Sequence, residues 1–387
     1  MIGGVDMSKK NILPEGTRDL ILDECIIKRS LEREIDNIFE KWGYKEVITP
    51  TVEFYETFNY NSQTLREEDM YKFFDNRGRI LVLRPDMTIP IARVVETKLK
   101  DAEFPIKLRY TSNVFRVHES LGGKRNEYTD CGVELIGIEA KKSDLEILVL
   151  ALEALKKLGL NDFKLEIGNI GFFNGAFKNL DIGEEHREVI AQFIEDKNLK
   201  SLEDYLEDLD IKEEYKKFFN KLPWMFGNKN ILEEAKKLAF NDEIKDNLEY
   251  LEVLYSQLEA LGYGENVTFD LGMVPRLNYY TGMIFRGYGE GVGNTLLRGG
   301  RYDSLIKSSN AYVPAIGFSI DINSVIENGK LNKNLSEDEN VCKIYYSEKN
   351  RIEAIKKSEE FRKQGYIVDL LPKEDIEEIK IVKGGEI

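Results

Sequence analysis

The residues best suited to bind a small charged molecule lie in segment 126–137, which reads NEYTDCGVELIG. Successive side chains of a strand point to opposite faces, so this segment, if extended, places Asp130, Gly132 and Glu134 on one face. Two carboxylates beside a glycine can bind a cationic or zwitterionic ligand that lies along the strand. The alternative interpretation is a strand face that is only solvated.

A hairpin would position this strand. The preceding run, KLRYTSNVFR at 107–116, also has strand character, and the pair Gly122 and Gly123 lies between the two runs. Glycine adopts positive φ angles at little cost, which the tip of a long hairpin often needs. The sequence therefore predicts an antiparallel hairpin from 107 to 137.

A second group of polar residues ends the run LRPDMT, Leu83 to Thr88. The residues that follow, MTIPIARVVETKLK, suit a helix in which Asp86 or Thr88 is the N-cap and Pro90 lies in the first turn. Capping alone accounts for Asp86 and Thr88. Ligand binding is the alternative for both residues.

Helical patterns occupy much of the remaining chain. The stretch Ser143 to Leu158 predicts a helix with Ser143 as its N-cap and Glu146 at capping-box spacing. Between about 183 and 262, Glu, Lys and Leu dominate and apolar residues recur every three to four positions, which indicates a helical insertion. His186 lies there among acidic residues, and we expect it to be an exposed surface residue.

The composition restricts the function. The chain of 387 residues has a formal charge of −15 and a pI near 5.0, which disfavours a polyanion such as tRNA as the partner. Its three cysteines and two histidines have no metal-site or disulfide spacing, so we expect no metal and a reducing, cytoplasmic location. No apolar run is long enough for a membrane span. The first ten residues lack the core of a signal peptide.

Several segments together resemble class II aminoacyl-tRNA synthetases of the histidyl type. The runs YTSNVFR and DCGVELIG resemble motif 2, and WGYKEVITPTVE resembles motif 1, whose proline, here Pro50, lies at the dimer interface of that family. LRPDMT resembles the segment that holds the amino-acid ammonium group. LNYYTGMIF, GGRYDSL and PAIGFSID resemble the two histidine-binding segments and motif 3. The matches occur in the family's order from about Leu13 to Asn323.

The resemblance implies an α+β fold with a class II synthetase-like antiparallel sheet flanked by helices. The core would span 1–325 and include the helical insertion at about 183–262, and a polar linker would follow at 326–340. The remaining residues, 341–387, read as strand, helix and strand. They resemble the opening half of an anticodon-binding domain and form a small, truncated α/β unit.

The resemblance also assigns the amino-acid half of a pocket. Asp86, Thr88, Asp130 and Glu134 occupy positions at which the family holds an ammonium group and an imidazole, although the family usually has Glu and Gln where this chain has Asp86 and Asp130. Carboxylates suit a ligand with a cationic amine and a titratable ring. The walls of this expected histidine-binding site would be formed by Tyr279, Tyr280 and Tyr302, with the first two on opposite faces if that segment is extended.

The nucleotide half looks incomplete. Arg116 stands at the first motif 2 arginine and is a candidate phosphate or anion contact. The positions of three further family arginines hold Asn126, Pro275 and Ser324, with Arg125 and Arg276 displaced by one residue. Each lost charge-stabilising donor costs about 2 to 4 kcal/mol of transition-state stabilisation, so no aminoacylation, no catalytic residue and no cofactor are expected.

A chain that keeps an amino-acid pocket but loses the nucleotide contacts is expected to sense that amino acid. The segment LRPDMT resembles the corresponding segment in the regulatory subunits of ATP phosphoribosyltransferase. That family is paralogous to the histidyl-tRNA synthetases, in which the same segment typically reads LRPEGT. This resemblance implies a partner, the short-form catalytic subunit that joins ATP to phosphoribosyl pyrophosphate in the first step of histidine biosynthesis. It implies that the partner needs this chain for activity and for feedback inhibition by histidine. Dimers through the motif 1 region and no binding of tRNA are also expected.

Two other functions stay open at this point. A divergent but active histidyl-tRNA synthetase would be an enzyme and would exchange pyrophosphate into ATP in the presence of histidine. A degenerate paralogue could instead be a scaffold or an RNA-binding module with an empty pocket. Titration with histidine separates this last function from a sensor.

Overall fold

A computed structural model describes most of the chain. The described residues are 13–59, 65–118, 125–160, 162–178, 180, 182–274, 279–290, 292–308, 311–328 and 341–384. The strands are β1 Lys45–Glu46, β2 Val52–Phe54, β3 Lys72–Phe74, β4 Ile80–Leu83, β5 Ile106–Phe115, β6 Glu127–Ile136, β7 Phe163–Asn169, β8 Phe226–Gly227, β9 Val267–Asp270, β10 Met283–Gly289, β11 Leu297–Arg301, β12 Ile306–Ser308, β13 Ala311–Val313, β14 Ala315–Asp321, β15 Val341–Tyr346, β16 Ile367–Pro372 and β17 Lys380–Lys383. The helices are α1 Asp23–Lys41, α2 Tyr55–Asn59, α3 Thr88–Thr97, α4 Ala140–Lys157, α5 Ile170–Phe177, α6 Glu184–Glu195, α7 Leu199–Asp208, α8 Glu213–Lys221, α9 Asn230–Lys236, α10 Asp242–Ala260, α11 Ile322–Asn328 and α12 Arg351–Lys363.

A nine-stranded sheet in the order β1-β5-β6-β14-β11-β10-β7-β9-β8 organises the first part of the chain. Its central strands are antiparallel, while β1 pairs with β5 and β7 pairs with β9 in parallel. The α+β prediction is therefore confirmed. The hairpin of β5 and β6 is confirmed as well, since Tyr110 pairs with Gly132 in an antiparallel register. The proposed tip at Gly122 and Gly123 lies outside the described residues.

Helix α4 begins earlier than its sequence predicts. It starts at Ala140 with Glu139 as the N-cap, and Ser143 lies inside it. The Ser143 hydroxyl donates to the Glu139 carbonyl at 3.0 Å and accepts from Arg301 Nη2 at 2.5 Å. The prediction of Ser143 as N-cap is wrong because a buried arginine from β11 supplies it with a tertiary partner.

Helices α6 to α10 lie in the segment where the composition indicates a helical insertion, and β8 from the same segment joins the edge of the large sheet. His186 of α6 is only partly exposed. Its Nδ1 lies 2.7 Å from the Tyr205 hydroxyl of α7, and the two rings are in contact. The expectation of an exposed surface histidine is therefore wrong, because this contact joins two helices of the insertion.

The chain divides into two compact units, residues 1–331 and 332–387. In the second unit β16 and β17 flank β15, in parallel and antiparallel pairing respectively, and α12 covers a small core of Cys342, Ile344 and Ala354. Strand β17 was not predicted. Most of the predicted linker, 326–340, lies outside the described residues. Among the residues that the structure describes, no helix combines the length and apolar character needed to cross a membrane.

Candidate functional site

A pocket opens over the middle of the large sheet. Its floor is formed by the side chains that β6, β14 and β11 direct to one face, and it encloses about 660 Å³ including its open mouth, a size typical of small-molecule sites. The register places Glu134 beside Gly317, and Gly317 beside Gly300. Four residues further along β6 on the same face, Asp130 lies directly opposite Asp321. All seven predicted contact residues line this pocket: Asp86, Thr88, Arg116, Asp130, Glu134, Tyr279 and Tyr280.

Glycines make the floor of the pocket possible. A Cβ atom at Gly132 would overlap the Tyr110 hydroxyl, and one at Gly317 would overlap the Glu134 carboxylate. A Cβ at Gly300 would come within 2.6 Å of the Tyr280 ring. The absence of side chains at these positions lets larger polar side chains lie flat over the sheet.

Glu134 forms the closed end of the pocket. It is 1% exposed, the Thr88 hydroxyl donates to its Oε1 at 2.9 Å, and the Tyr302 hydroxyl donates to its Oε2. Burial raises the pKa of Glu134 to about 8, although the two hydroxyl donors oppose that shift. The group is therefore poised to exchange a proton when a cationic ligand binds.

Asp86 lies just before α3 and faces the pocket. The N-cap of α3 is Met87, not Asp86 or Thr88 as the sequence predicted. The Asp86 Oδ1 still accepts from the Ile89 amide in the first turn at 3.1 Å. Its Oδ2 is buried and has no hydrogen-bond partner among the described residues. Burial raises the pKa of Asp86 while the nearby Arg116 guanidinium lowers it. One oxygen thus supports α3, and the other is available to a ligand.

Asp130 lies further out in the pocket and is 8% exposed. Burial and the facing Asp321 carboxylate raise its pKa to about 7, while Arg116 and Arg298 lower it. Asp321 accepts from the amide and hydroxyl of Ser324 at 3.0 and 2.7 Å. Ser324 therefore supports Asp321, so no arginine reaches the pocket from that position.

The other family arginine positions are structural where they are described. Asn126 is buried, accepts from the His118 amide and donates to the Glu15 carbonyl. Arg125 lies outside the pocket lining, and its Nε contacts Glu327 of α11 at 2.6 Å. This confirms that the one-residue displacement directs Arg125 elsewhere. Pro275 and Arg276 lie outside the described residues, so their prediction is untested.

Aromatic rings form one wall of the pocket. The ring centroids of Tyr279 and Tyr280 are 4.7 Å apart, and Tyr279 meets Tyr302 edge-on at 6.1 Å. Neither Tyr279 nor Tyr280 belongs to a strand, so both rings reach the same pocket instead of opposite faces.

A buried ionic network positions Tyr302 from behind. The preceding residue, Arg301, donates from Nε to Asp144 Oδ1 at 3.0 Å and from Nη1 to Asp303 Oδ1 at 2.9 Å. Asp144 of α4 also accepts from the Tyr250 hydroxyl of α10 at 2.6 Å. Removing one partner of such a buried pair typically costs about 3 to 5 kcal/mol. This network therefore fixes the turn that carries Tyr302 and joins the insertion to the sheet.

The sequence analysis missed several lining residues, among them Tyr110, Tyr128, Arg298 and Asp321. The alternation that placed Asp130 and Glu134 on one face would have placed Arg298 with Gly300, and Asp321 with Gly317. The sequence does not reveal the order of the strands, and it is this order that brings Arg298 of β11 and Asp321 of β14 next to β6. Within the described residues, no group of three or more His, Cys, Asp or Glu side chains has the geometry of a metal site.

An antiparallel sheet that carries an acid-lined pocket of this form defines a class II synthetase-like core. The family model for histidyl-tRNA synthetase matches residues 16–325. The chain belongs to the histidyl-tRNA synthetase family, in the branch formed by the ATP phosphoribosyltransferase regulatory subunits.

Similar proteins and crystal structures support this assignment. A regulatory subunit of ATP phosphoribosyltransferase from Clostridium acetobutylicum is 42% identical over 320 residues, which cover 82% of this chain and 78% of the relative. The one from Clostridium botulinum strain Langeland is 40% identical over 370 residues and covers 95% and 88%. The crystal structure of a regulatory subunit/histidyl-tRNA synthetase from Bacillus halodurans C has a TM-score of 0.84 at 34% identity, over 95% of this chain and 94% of that one. A histidyl-tRNA synthetase from Nostoc shares the fold at 20% identity and a TM-score of 0.77, over 95% and 87% of the two chains.

Proposed function

We propose that this chain is the regulatory subunit of an ATP phosphoribosyltransferase and binds histidine in the pocket over β6. In this function it catalyses no reaction itself. It makes a short-form catalytic subunit active, and it transmits histidine inhibition to that partner in the first step of histidine biosynthesis. The relatives named as regulatory subunits support this proposal. The observation that carries the histidine site is the closed, acidic end of the pocket around Glu134.

The charges suggest how histidine binds. Its imidazole lies at the closed end, where Glu134 and Thr88 offer oxygen atoms 2.9 Å apart. Its ammonium group lies between Asp130 and the unpartnered Oδ2 of Asp86. The rings of Tyr279 and Tyr280 cover its apolar part. Arg116, the phosphate or anion contact predicted from the sequence, lies near Asp86 and Asp130. A ligand with two cationic groups thus meets carboxylates at both of them.

The same geometry disfavours amino-acid activation. A triphosphate needs several cations around it. Arg116 and Arg298 line the pocket, but four carboxyl groups line it as well, and Asp130 faces Asp321 at its outer end. The positions of Asn126 and Ser324 supply structural hydrogen bonds and no charge. We therefore propose that ATP is not a ligand. The net charge of −15 disfavours tRNA as well.

The proposal includes a homodimer through the motif 1 region, because an apolar face of the small sheet β2-β4-β3 is exposed there. It also includes a cytoplasmic location, which the buried free thiols of Cys131 and Cys342 favour because free thiols persist in a reducing compartment.

The test is an assay with the short-form catalytic subunit of the same organism. Adding the wild-type chain should raise phosphoribosyl transfer, and histidine should then inhibit it. The variant Glu134→Gln should activate equally, but about 10- to 100-fold more histidine should be needed for inhibition, since one charge-assisted contact is lost. Glu166→Gln, on β7 of the same sheet and outside the pocket lining, is the matched control.

Each alternative function predicts a different result. Unchanged inhibition in Glu134→Gln would contradict the assignment of the histidine site. Histidine-dependent exchange of pyrophosphate into ATP would instead identify an active synthetase. A chain that shows no heat of histidine binding by calorimetry would be a scaffold or an RNA-binding module.

A further inference from the structure

The α-carboxylate of a bound amino acid poses a charge problem in this pocket. Four acidic side chains line it: Asp86, Asp130, Glu134 and Asp321. They suit the cationic groups of the ligand but repel its carboxylate, and the repulsion is strong in a site shielded from water. The ammonium group and the carboxylate share one carbon atom, so the carboxylate must lie at the same outer end as Asp130. A cation is therefore needed there.

Arg116 is partly engaged within the chain itself. Its Nε donates to the Pro85 carbonyl at 2.8 Å, and its guanidinium lies close enough to Asp86 and Asp130 to lower the pKa of both carboxyl groups. Those two carboxylates are the ones assigned to the ligand's ammonium group. Arg116 thus balances acidic groups of the pocket wall before any ligand arrives.

Arg298 lies where an additional cation is needed. It is on β11, its Cα faces Ser319, and it shares the pocket face with Gly300. Glu134 lies two strands away on β6, and it is two residues further along the sheet than the position level with Arg298. Ordinary strand spacings then place the two Cα atoms about 12 Å apart. Their side chains and one amino acid together span such a gap. Arg298 also lowers the pKa of Asp130 and of Asp321, so its guanidinium lies near the outer end of the pocket.

We propose that Arg298 binds the α-carboxylate of the effector and makes the pocket selective for amino acids over the corresponding amines. This inference rests on the proposed function, because it names a recognition residue of the same site. Its exposed position at the mouth lets the guanidinium meet a carboxylate that enters from solvent. Arginine suits this task because its planar fork can donate two parallel hydrogen bonds to a carboxylate.

The test compares two ligands on the intact chain by calorimetry. L-Histidine carries the carboxylate, and histamine lacks it while keeping the amine and the imidazole. Arg298→Gln should weaken histidine binding about 10- to 100-fold, the effect of losing a charge-assisted hydrogen bond. Histamine binding should stay the same or tighten, because a repelling cation has been removed. Arg298→Lys should restore part of the lost histidine binding, because lysine keeps the positive charge but cannot donate two parallel hydrogen bonds from a planar group.

The control is Arg286→Gln. Arg286 pairs with Arg298 in the next strand, lies on the same face and is outside the pocket lining, so it should affect neither ligand. An equal loss of both ligands in Arg298→Gln, or no loss of histidine, overturns the inference. If histamine binds too weakly to measure, rescue by Arg298→Lys supports the role of Arg298, and failure of that rescue overturns it. A wild-type chain that binds no histidine overturns the proposed function, and the inference with it.

Discussion

At the scale of single residues, the pocket depends on carboxyl groups held away from water. Glu134 keeps its position through two hydroxyl donors, Thr88 and Tyr302, and is almost completely buried. A buried carboxylate without a cation is costly, so the empty site favours the neutral acid. A cationic ligand reverses that balance. The residue that we propose to recognise the ligand is therefore also one that destabilises the empty protein at high pH.

This cost can be measured as a pH dependence of stability. The pKa of Glu134 is about 8 in the folded chain, above the ordinary value of 4.5. Between pH 4.5 and pH 8 the unfolded chain has lost this proton while the folded chain still holds it. The free energy of unfolding therefore falls as the pH rises from 4.5 to about 8. The variant Glu134→Gln should therefore lose less unfolding free energy between pH 5 and pH 8 than the wild type does.

Urea unfolding at pH 5, 6, 7 and 8 measures how the free energy of unfolding depends on pH in the wild type and in Glu134→Gln. Glu213→Gln removes the same charge from a side chain that is 88% exposed and is the control for net charge. Parallel slopes for the wild type and Glu134→Gln would show that Glu134 already ionises freely in the folded state.

Much of this pocket could be predicted at the residue scale, but its charge balance could not. The alternation of segment 126–137 was enough to bring Asp130 and Glu134 together, and the structure places both in one pocket. The segments that contain Arg298 and Asp321 alternate just as clearly. These two residues reach the pocket only because β14 and β11 lie beside β6, and no short stretch of sequence encodes such a non-local strand order.

At the scale of elements, neighbouring strands share the task of making space. Gly317 of β14 lies directly between Glu134 of β6 and Gly300 of β11. The Glu134 carboxylate lies where a Cβ of residue 317 would be. The hairpin of β5 and β6 therefore presents its carboxylates correctly only because the next strand lacks a side chain there.

Gly317→Ala tests this dependence. The added methyl group should displace Glu134 and lower the free energy of unfolding by about 1 to 3 kcal/mol, as overpacking of a core usually does. Histidine affinity should fall at least about 10-fold with it. Urea unfolding and calorimetry measure the two effects. Gly293→Ala is the control, because no atom lies within 4 Å of its added Cβ, and binding like the wild type in Gly317→Ala would contradict this view of the pocket floor.

Local signals were reliable for elements where tertiary contacts agree with them. The alternation in 107–116 and 126–137 predicted β5 and β6 almost to the residue. Ser143 has an equally good capping signal, yet α4 begins three residues earlier. The buried guanidinium of Arg301 binds the Ser143 hydroxyl and the Asp144 carboxylate, which lie inside the helix. Losing these buried contacts would cost more than the roughly 1 kcal/mol that an N-cap contributes.

At the scale of the whole molecule, the small sheet β2-β4-β3 has two unlike faces. One face packs Val82 into a core with Phe58, Met70 and Ile89. On the other face the register aligns Val52, Phe54 and Phe73, whose exposed fractions are 40%, 40% and 38%. Aromatic and branched side chains that share one solvent face are typical of a surface that is buried in an assembly. The sequence located this region through Pro50, but only the strand register shows which side chains form the face.

We expect this face to hold two copies of the chain together. Replacing Phe54 and Phe73 with Asp places two charges at the centre of the contact, and desolvating them should dissociate the dimer. Light scattering across a dilution series should show a dimer for the wild type and a monomer for the double variant. Val253→Asp, at a position on α10 that is 54% exposed, is the control and should stay dimeric. Calorimetry on the monomer should still detect histidine, because every pocket residue named above comes from a single chain. A wild-type chain that is monomeric at micromolar concentration would remove this face from the proposed assembly.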